Sequence, residues 1–258
     1  MRLTEFGDLN WVPHIYHYYL RIYSLFFIRF IGYDKMWAKQ TEAFLKRVKA
    51  KSVIEYGSGS GEPLLRTVSK IKSPALKSLN YTMSDLRPLP EFVDKVNNHL
   101  PENFSYIKEP VDASTHRPQK GQAVVFINSF HHLPPETAKR VIKNNLENGN
   151  EMLILEYVRN SFLAHVSMVF GPLIVMLTVP FVVKLKHLPI AILFTYLIPI
   201  FPLMLLWDGL VSGLSAYNEK FFRNAIEDLN CHAEVSTNIE RSLLYPSGTV
   251  TTSITLKG

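Results

Sequence analysis

The motif E-Y-G-S-G-S-G combines an acidic side chain with closely spaced glycines. Glu55 ends a short apolar run, and Gly57, Gly59 and Gly61 follow at alternate positions. Glycine tolerates positive φ and has no Cβ, so a glycine-rich turn after a strand lets the backbone approach a ligand closely. Dinucleotide-binding turns have the spacing G-x-G-x-x-G, and here Glu62 stands where a pyrophosphate would bind. The turn therefore favours a cationic or zwitterionic ligand.

Acidic and basic side chains also follow later apolar runs. Asp85 and Asp112 come after the second and third of these runs, and His131 and His132 come after the fourth. A carboxylate can accept hydrogen bonds from both vicinal hydroxyls of a ribose. A histidine titrates near neutral pH, which suits a general base. The pattern predicts carboxylate acceptors and candidate proton acceptors at the ends of successive strands, although each residue has an alternative role in a turn, a helix cap or packing.

With these sites in this order, the chain resembles the class I S-adenosylmethionine-dependent methyltransferases. Their first motif is an apolar strand, an acidic residue and G-x-G-x-G, and the resemblance covers residues 33–157 and the C-terminal β-hairpin. It implies that S-adenosylmethionine is the cofactor, with Asp85 on the ribose and Asp112 at the adenine. It also implies a wider set of cofactor-binding residues: Glu55, Gly57, Ser58, Gly59, Gly61, Asp85, Leu86, Asp112, Ala113, Asn128, Ser129 and Tyr33.

The implied reaction is an in-line displacement at a methyl carbon, for which positioning supplies much of the rate. An oxygen nucleophile must lose a proton, so His131 and His132 are the candidate catalytic residues, one expected to point inward and the other outward. A carbon nucleophile on an electron-rich ring needs no strong base. We predict no metal site, because His14 and His17 lack a carboxylate or cysteine partner in the sequence.

Strands and helices alternate around these residues. Five strands separated by helices predict an α/β fold with a parallel, doubly wound sheet. Two β-rich runs flank Pro246-Ser247-Gly248 and predict a C-terminal β-hairpin. The resemblance implies that together they form a seven-stranded, mostly parallel sheet of the class I methyltransferase type.

Two long apolar runs interrupt this alternation after the fifth strand. Residues 162–183 carry no formal charge, K-L-K-H follows, and residues 188–207 form the second run. As helices they are each ~30 Å long, which matches the hydrocarbon core of a bilayer. Several prolines and the lysines of the turn oppose a simple spanning hairpin. A hydrophobic helical hairpin that spans the membrane, dips into it or covers a soluble active site is consistent with the pattern.

The N-terminal stretch, residues 11–31, is crowded with aromatic side chains. We predict one or two amphipathic helices in a membrane interface, with a helix packed on the domain as the alternative. The predicted domains are an amphipathic helical segment, a cofactor-binding core, a hydrophobic hairpin and a completion of the core, at residues 1–32, 33–160, 161–207 and 208–258.

Composition and charge point to a membrane surface rather than to nucleic acid. Of the 258 residues 47% are hydrophobic, and the formal net charge is +6. The basic residues are scattered instead of forming a nucleic-acid-binding run, and they suit an anionic membrane. Cys231 is the single cysteine, which excludes an intramolecular disulfide, and no secretory signal is apparent. We therefore expect a membrane-associated protein whose catalytic domain faces the cytoplasm.

The position of the hairpin bears on the substrate. The resemblance implies that insertions between the fifth strand and the terminal β-hairpin shape the acceptor pocket. A lipophilic small-molecule acceptor follows: a quinone or phenol precursor, a lipid, a fatty acid or a terpenoid. Asp208, Ser212 and Tyr217 are the candidate substrate-binding residues, although Asp208 and Ser212 have helix capping as an alternative.

Two other functions remain open from the sequence. One is a nicotinamide-dependent oxidoreductase, which the glycine spacing and Glu62 disfavour. The other is a non-catalytic, membrane-anchored scaffold with a degenerate methyltransferase fold, which is disfavoured because a suitable residue fills every expected cofactor position.

Overall fold

The computed structural model describes residues 3–9, 11–229 and 232–257, and these ranges group into two compact units. Cys231 lies outside the described residues. The first unit comprises Met1–Gly32, Val158–Ala216 and Arg241–Gly248, and the second comprises Tyr33–Tyr157, Tyr217–Glu240 and Thr249–Gly258. The units divide after residues 32, 157, 216, 240 and 248, whereas the domains predicted from the sequence end at residues 32, 160 and 207.

The helices, in chain order, are α1 (His14–Ile31), α2 (Tyr33–Arg47), α3 (Glu62–Lys70), α4 (Pro74–Lys77), α5 (Pro90–His99), α6 (Pro135–Glu147), α7 (Phe162–Val182), α8 (Leu188–Ile192), α9 (Ile200–Ser215) and α10 (Glu219–Glu227). The strands are β1 (Ser52–Tyr56), β2 (Asn80–Ser84), β3 (Phe104–Tyr106), β4 (Ala123–Ile127), β5 (Met152–Glu156), β6 (Ala233–Glu240) and β7 (Thr249–Leu256).

Over the described ranges, the strands of the second unit form one seven-stranded sheet in the order β3-β2-β1-β4-β5-β7-β6. The first five strands are parallel, and β7 runs antiparallel to both β5 and β6. The strand order reverses between β1 and β4, where the carboxyl ends of parallel strands leave a crevice for a ligand. The predicted α/β, doubly wound and mostly parallel sheet is thus confirmed.

The two central strands of the second unit are apolar except for Glu156 at the end of β5. Every residue of β4 and β5 is buried, as expected for parallel strands covered on both faces. On one face, Phe126 packs in a cluster with Val141 and Ile142 of α6 and with Phe222 of α10. Proline in the first turn of α6 presets its helical φ, and the Asn218 side chain caps α10 by accepting a hydrogen bond from the Phe221 N–H.

The first unit contains the predicted hydrophobic hairpin. Its first arm, α7, is one helix, but its second arm is not the single helix that the sequence suggests. After α8 come a short π-helical stretch, Leu193–Leu197, and a break, and α9 then leaves at a bend of 78°. Pro199 and Pro202 lack the N–H that a continuous helix needs, which accounts for the break. The helix then continues past the predicted end at residue 207 to Ser215.

The predicted N-terminal helix is the single helix α1, which ends at Ile31 and is followed by Gly32 in the left-handed conformation. Its Tyr16, Tyr19 and Tyr23 are fully buried at helical spacing and cluster with Val175 and other apolar residues of the hairpin. Helix α1 is therefore packed on the hairpin within the first unit.

Candidate functional site

The glycine turn lies at the carboxyl end of β1. Gly57, Gly59 and Gly61 have φ values of 69°, 53° and 71°, a left-handed conformation that favours glycine. A Cβ on Gly57 would lie 2.8 Å from the Cβ of Ser129, and one on Gly61 would lie 2.6 Å from the Sδ of Met83. A Cβ on Gly59 would meet nothing within 4 Å. Two glycines therefore allow close packing of the turn, and Gly59 borders open space.

Serine side chains fix the position of this turn. The Ser58 N–H donates to the Ser84 carbonyl at 3.0 Å, and the Ser84 N–H donates to the Ser58 Oγ at 3.2 Å. The Ser84 hydroxyl donates to the Glu55 carbonyl at 2.8 Å. The backbone N–H and the hydroxyl of Ser58 are thus both engaged within the protein, and its predicted role at the cofactor stays a prediction.

Glu55 is a buried carboxyl group directly before the turn. It is 1% exposed, and its Oε2 has no hydrogen-bond partner among the residues that the structure describes. Burial raises its pKa to about 8; a hydrogen bond with Ser58 lowers the pKa, and the nearby charge of Asp85 raises it further. A cationic group would satisfy this oxygen and stabilise the carboxylate.

Two aspartates follow the neighbouring strands. The Asp85 carboxylate accepts hydrogen bonds from the N–H groups of Gly59 and Arg87, each at 2.8 Å. The Val111 N–H donates to the Asp85 carbonyl at 2.8 Å, which brings Asp112 to the same edge of the sheet. Asp112 is exposed and closes its own turn by accepting from the Ser114 N–H at 2.8 Å. Beside these aspartates, Leu86 is 57% exposed and Ala113 is buried.

The turn after β4 lies next to the glycine turn. Asn128 has a φ of 51°, which is uncommon outside glycine, and its side chain accepts from the Tyr157 N–H at 3.4 Å. The Ser129 hydroxyl donates to the carbonyl of Tyr56, the last residue of β1, at 3.1 Å. This bond, with the close approach of Ser129 to Gly57, joins the two turns.

The two histidines differ in burial, although their ring centroids are only 4.3 Å apart. His131 is 1% exposed, whereas His132 is exposed. The Oε2 of Glu156, at the end of β5, lies 2.7 Å from the Nδ1 of His131. Its Oε1 accepts from the backbone N–H of His131 at 3.2 Å. The carboxylate therefore fixes the imidazole, and Nε2 carries the acceptor lone pair when Nδ1 is the donor.

Tyr33 and Tyr217 lie in aromatic clusters of the second unit. Tyr33 is buried and stacks on Tyr157, with ring centroids 5.3 Å apart. The Tyr217 hydroxyl donates to the Leu133 carbonyl at 2.7 Å, just after the histidine pair, and its ring packs against Phe130 at 5.7 Å. Of the predicted substrate residues, Tyr217 is thus tied to the turn that carries the candidate base.

Asp208 and Ser212 belong to the first unit and bind its N-terminal segment. Asp208 accepts from the N–H groups of Phe6 and Gly7, at 2.6 and 3.0 Å, and from the Tyr16 hydroxyl at 2.9 Å. The Ser212 hydroxyl donates to Glu5 at 2.7 Å. These bonds hold the N-terminal segment on α9, and the substrate role predicted for both residues stays a prediction.

Sequence reasoning missed three residues of the site. Glu156 holds His131, Ser84 fixes the glycine turn, and the Tyr106 hydroxyl donates to the Gly59 carbonyl at 2.9 Å. Glu156 had a visible signal, since it is an acidic residue that ends an otherwise apolar strand. Ser84 and Tyr106 had no such signal, because their roles depend on which strands become neighbours.

Searches of protein-family models and of curated proteins give no match to this chain. Solved structures do match. The plantazolicin methyltransferase BpumL, in complex with a monoazolic desmethylPZN analog and SAH, aligns with a TM-score of 0.56 and 11% identity, over 92% of this chain and 90% of that one. The methyltransferase domain of bacterial CtHen1-C aligns with a TM-score of 0.52 and 16% identity, over 88% of this chain and 100% of that one. The chain therefore has the fold of the S-adenosylmethionine-dependent methyltransferases.

Proposed function

We propose that the protein is an S-adenosylmethionine-dependent methyltransferase that acts on a lipophilic small molecule at a membrane. One observation carries the proposal: the buried Glu55 has an unpartnered carboxylate oxygen directly before a glycine turn that borders open space. A sulfonium cofactor with an amino acid end carries positive charge that this carboxylate favours. A pyrophosphate-containing cofactor would place negative charge beside Glu55 and Glu62 instead.

The residues at the strand ends suit the other parts of this cofactor. Asp85 retains acceptor capacity for ribose hydroxyls, because each carboxylate oxygen has more than one lone pair. Asp112 and the backbone of Ala113 would recognise the adenine edge, with Leu86 as an apolar wall. When bound, the cofactor supplies a methyl carbon to a nucleophile, and the electrons of the broken C–S bond stay on sulfur. BpumL, which shares the fold, is solved with SAH.

The chain's own contribution to the reaction would be orientation and proton removal. His131 is the proposed general base and Glu156 its positioning residue, since a carboxylate at 2.7 Å from Nδ1 stabilises the imidazolium that forms. An acidic hydroxyl, such as that of a phenol, would give its proton to the imidazole of His131 as the oxygen attacks the methyl carbon. His132 is exposed and fits a role in admitting or positioning the acceptor.

The membrane part of the proposal rests on the first unit. Within the residues described, α7 is long and apolar enough to cross a bilayer, with a mean hydropathy of 2.1. The two helical stretches after it, Leu185–Leu197 and Ile200–Ser215, meet the same criterion only when they are counted as one bent span. An enzyme that carries so much exposed apolar surface has direct access to acceptors dissolved in lipid. The catalytic unit would face the cytoplasm.

Cofactor binding is the first test of this proposal. Titration calorimetry with S-adenosylmethionine should give one site per chain, and NADH should give none. Asp85→Ala should weaken binding about tenfold to a hundredfold, because a hydrogen bond to a charged group is worth about 1.5–3 kcal/mol. The matched control is Asp94→Ala, a change of an exposed aspartate on α5 that should leave affinity unchanged.

Methyl transfer is the second test. Labelled methyl groups from S-adenosylmethionine should enter a total lipid extract with the wild type and not with Asp85→Ala. Binding of the cofactor without transfer to any lipid, quinone or phenol would reject the lipophilic acceptor. Failure of well-folded protein to bind the cofactor at all would favour the scaffold function.

A further inference from the structure

The surface of the first unit is unusual for a water-soluble protein. Side chains of α7 point outward along its whole length, with Phe162, Leu177 and Phe181 exposed by 85%, 76% and 86%. Only 17% of the most apolar stretch of this helix is buried, whereas the core helix of a soluble protein is mostly buried. We call the outward residues of α7 the apolar face; they are Phe162, Phe170, Leu173, Leu177 and Phe181. A face of this extent calls for a partner.

Several polar side chains of the hairpin are satisfied from within the unit, whereas the buried Nε2 of His165 on α7 has no hydrogen-bond partner among the described residues. The hydroxyls of Ser167 and Thr178 donate to carbonyls one turn earlier in α7, at 2.8 and 2.7 Å. The Trp207 Nε1 donates to the Thr4 carbonyl at 2.9 Å, and the Tyr19 hydroxyl lies 3.0 Å from the Thr195 Oγ1. Hydrocarbon offers no hydrogen bonds, so internal satisfaction is what a lipid-facing surface requires.

We infer that the first unit is inserted into a single leaflet of an anionic bilayer, with α7 lying along the membrane plane and its apolar face among the acyl chains. This inference rests on the membrane association proposed above and adds that the hairpin does not cross the bilayer. Three features of the unit favour this placement over a spanning one.

The first feature is α1, which is packed on the hairpin. The Tyr23 hydroxyl donates to the Val175 carbonyl in the middle of α7, at 3.2 Å. Helix α1 also carries Arg21 and Arg29. A spanning α7 would bring the middle of α1 towards the bilayer centre, where a charged side chain costs about 2.5–3.5 kcal/mol. In a single leaflet, α1 stays at the level of the headgroups.

The second feature is the break before α9. The backbone leaves helical geometry at Ile198, whose side chain is 47% exposed. Irregular backbone is tolerated inside hydrocarbon only where protein covers it, so this break belongs near the headgroups. Helix α9 has 16 residues and a length of ~24 Å, which is short of the ~30 Å hydrocarbon core.

The third feature is the charge of the turn that follows α7. Lys184 and Lys186 are exposed there. A spanning hairpin would move both to the side away from the catalytic unit, against the usual retention of lysine and arginine on the cytoplasmic side. In a single leaflet their ammonium groups reach anionic headgroups while their stems lie along apolar surface.

Site-directed labelling tests the inference. The background is Cys231→Ser, and the two probes are Lys186→Cys in the turn and Lys70→Cys on α3. Membranes from expressing cells are prepared as sealed vesicles with the cytoplasmic side outward and treated with a membrane-impermeant maleimide. We expect both positions to be labelled from outside. Labelling of the turn position only after detergent would overturn the inference.

A measurement of insertion depth is the second test of the inference. A fluorophore on Leu173→Cys, at the middle of the apolar face, should be quenched more by lipids labelled near the headgroup than by lipids labelled at the acyl terminus. The vesicles contain phosphatidylcholine and phosphatidylglycerol at three to one. Stronger quenching at the acyl terminus, or no quenching at all, would reject the single-leaflet placement. Calorimetric binding of S-adenosylmethionine is measured on the same variants, so the methyltransferase proposal is judged separately.

Discussion

The polar residues of the site differ in whether other residues of the protein already satisfy their hydrogen bonds. Ser58 and Ser84 use theirs on each other and on β1, and His131 is held by Glu156. Glu55 is buried with one oxygen unpartnered among the residues described. Uncommitted polar atoms in a buried position are costly unless a ligand uses them. We therefore expect the protonation state of Glu55 to influence both cofactor binding and stability.

Cofactor affinity should depend on pH through Glu55. Burial raises its pKa to about 8, so the free protein holds a proton there at neutral pH, and a cationic ligand favours its release. Affinity for S-adenosylmethionine should rise with pH by up to about tenfold per unit below pH 8 and level off above it. Calorimetry in buffers of different ionisation enthalpy checks this, and Glu55→Gln should bind weakly without this pH dependence.

The same carboxyl group affects stability in the absence of ligand. The native protein keeps a proton that the unfolded chain loses above the ordinary pKa of 4.5. The free energy of unfolding should therefore fall as pH rises from about 4.5 to about 8, relative to Glu55→Gln. Denaturant titrations of the two proteins at several pH values measure the difference. Parallel pH profiles for the two proteins would mean that Glu55 is ionised in the free protein.

Glu156 should influence turnover rather than cofactor binding. Glu156→Gln keeps the size of the side chain but removes the charge that stabilises a protonated imidazole, so kcat should fall about 10²-fold at unchanged affinity for S-adenosylmethionine. Glu156→Asp should retain part of the rate. The control is Glu147→Gln at the exposed end of α6, and an unchanged kcat in Glu156→Gln would point to a carbon nucleophile that needs no base.

At the scale of elements, most of the second unit could be predicted from the sequence. Its central strands β4 and β5 are short apolar runs ended by polar residues, and burial on both faces makes such runs easy to recognise. The bent second arm of the hairpin could not be predicted. The prolines indicate where a helix can break, but the packing of neighbouring elements decides in which direction the chain continues after the break. The pair of His131 and Glu156 joins the ends of two strands, and only the register of the sheet brings them together.

The packing of the glycine turn is sensitive to substitution, because a Cβ added at Gly57 or Gly61 would collide with neighbouring side chains. Gly57→Ala should destabilise the protein by more than Gly121→Ala, although both residues have positive φ. A Cβ at Gly121 meets nothing within 4 Å, so the cost there is the left-handed conformation alone, about 1–2 kcal/mol. A Cβ at Gly57 also collides with Ser129. Urea denaturation compares the two, and equal losses would show that the turn can move away from β4.

At the scale of the whole molecule, the sequence suggests four successive domains, whereas each unit is assembled from separated segments. The reason is long-range hydrogen bonding within the first unit. Asp208 and Ser212 bind Phe6, Gly7 and Glu5, about two hundred residues earlier in the chain. A pattern read locally has no access to such pairs, so these partners of Asp208 and Ser212 could not be predicted from the sequence.

Membrane binding of the whole protein should depend on anionic lipid and on salt. The double variant Lys184→Ala, Lys186→Ala should lose about 2 kcal/mol of affinity for vesicles with phosphatidylglycerol, roughly 30-fold, since each lysine near an anionic surface is worth about 1 kcal/mol. The matched double variant Lys70→Ala, Lys77→Ala in the second unit should bind as the wild type does. Vesicle flotation measures both, and equal binding of all three proteins would exclude these lysines from contact with the headgroups.

The order of segments along the chain has a consequence for synthesis on the ribosome. Strands β6 and β7 follow the apolar helices, so the partner of the β5 edge is made last. While α7 to α9 emerge from the ribosome, the edge of the sheet at β5 is still unpaired. Both this open edge and the exposed apolar helices promote aggregation. Capture of the nascent chain by a lipid surface at that stage would protect the helices and leave the last two strands free to close the sheet.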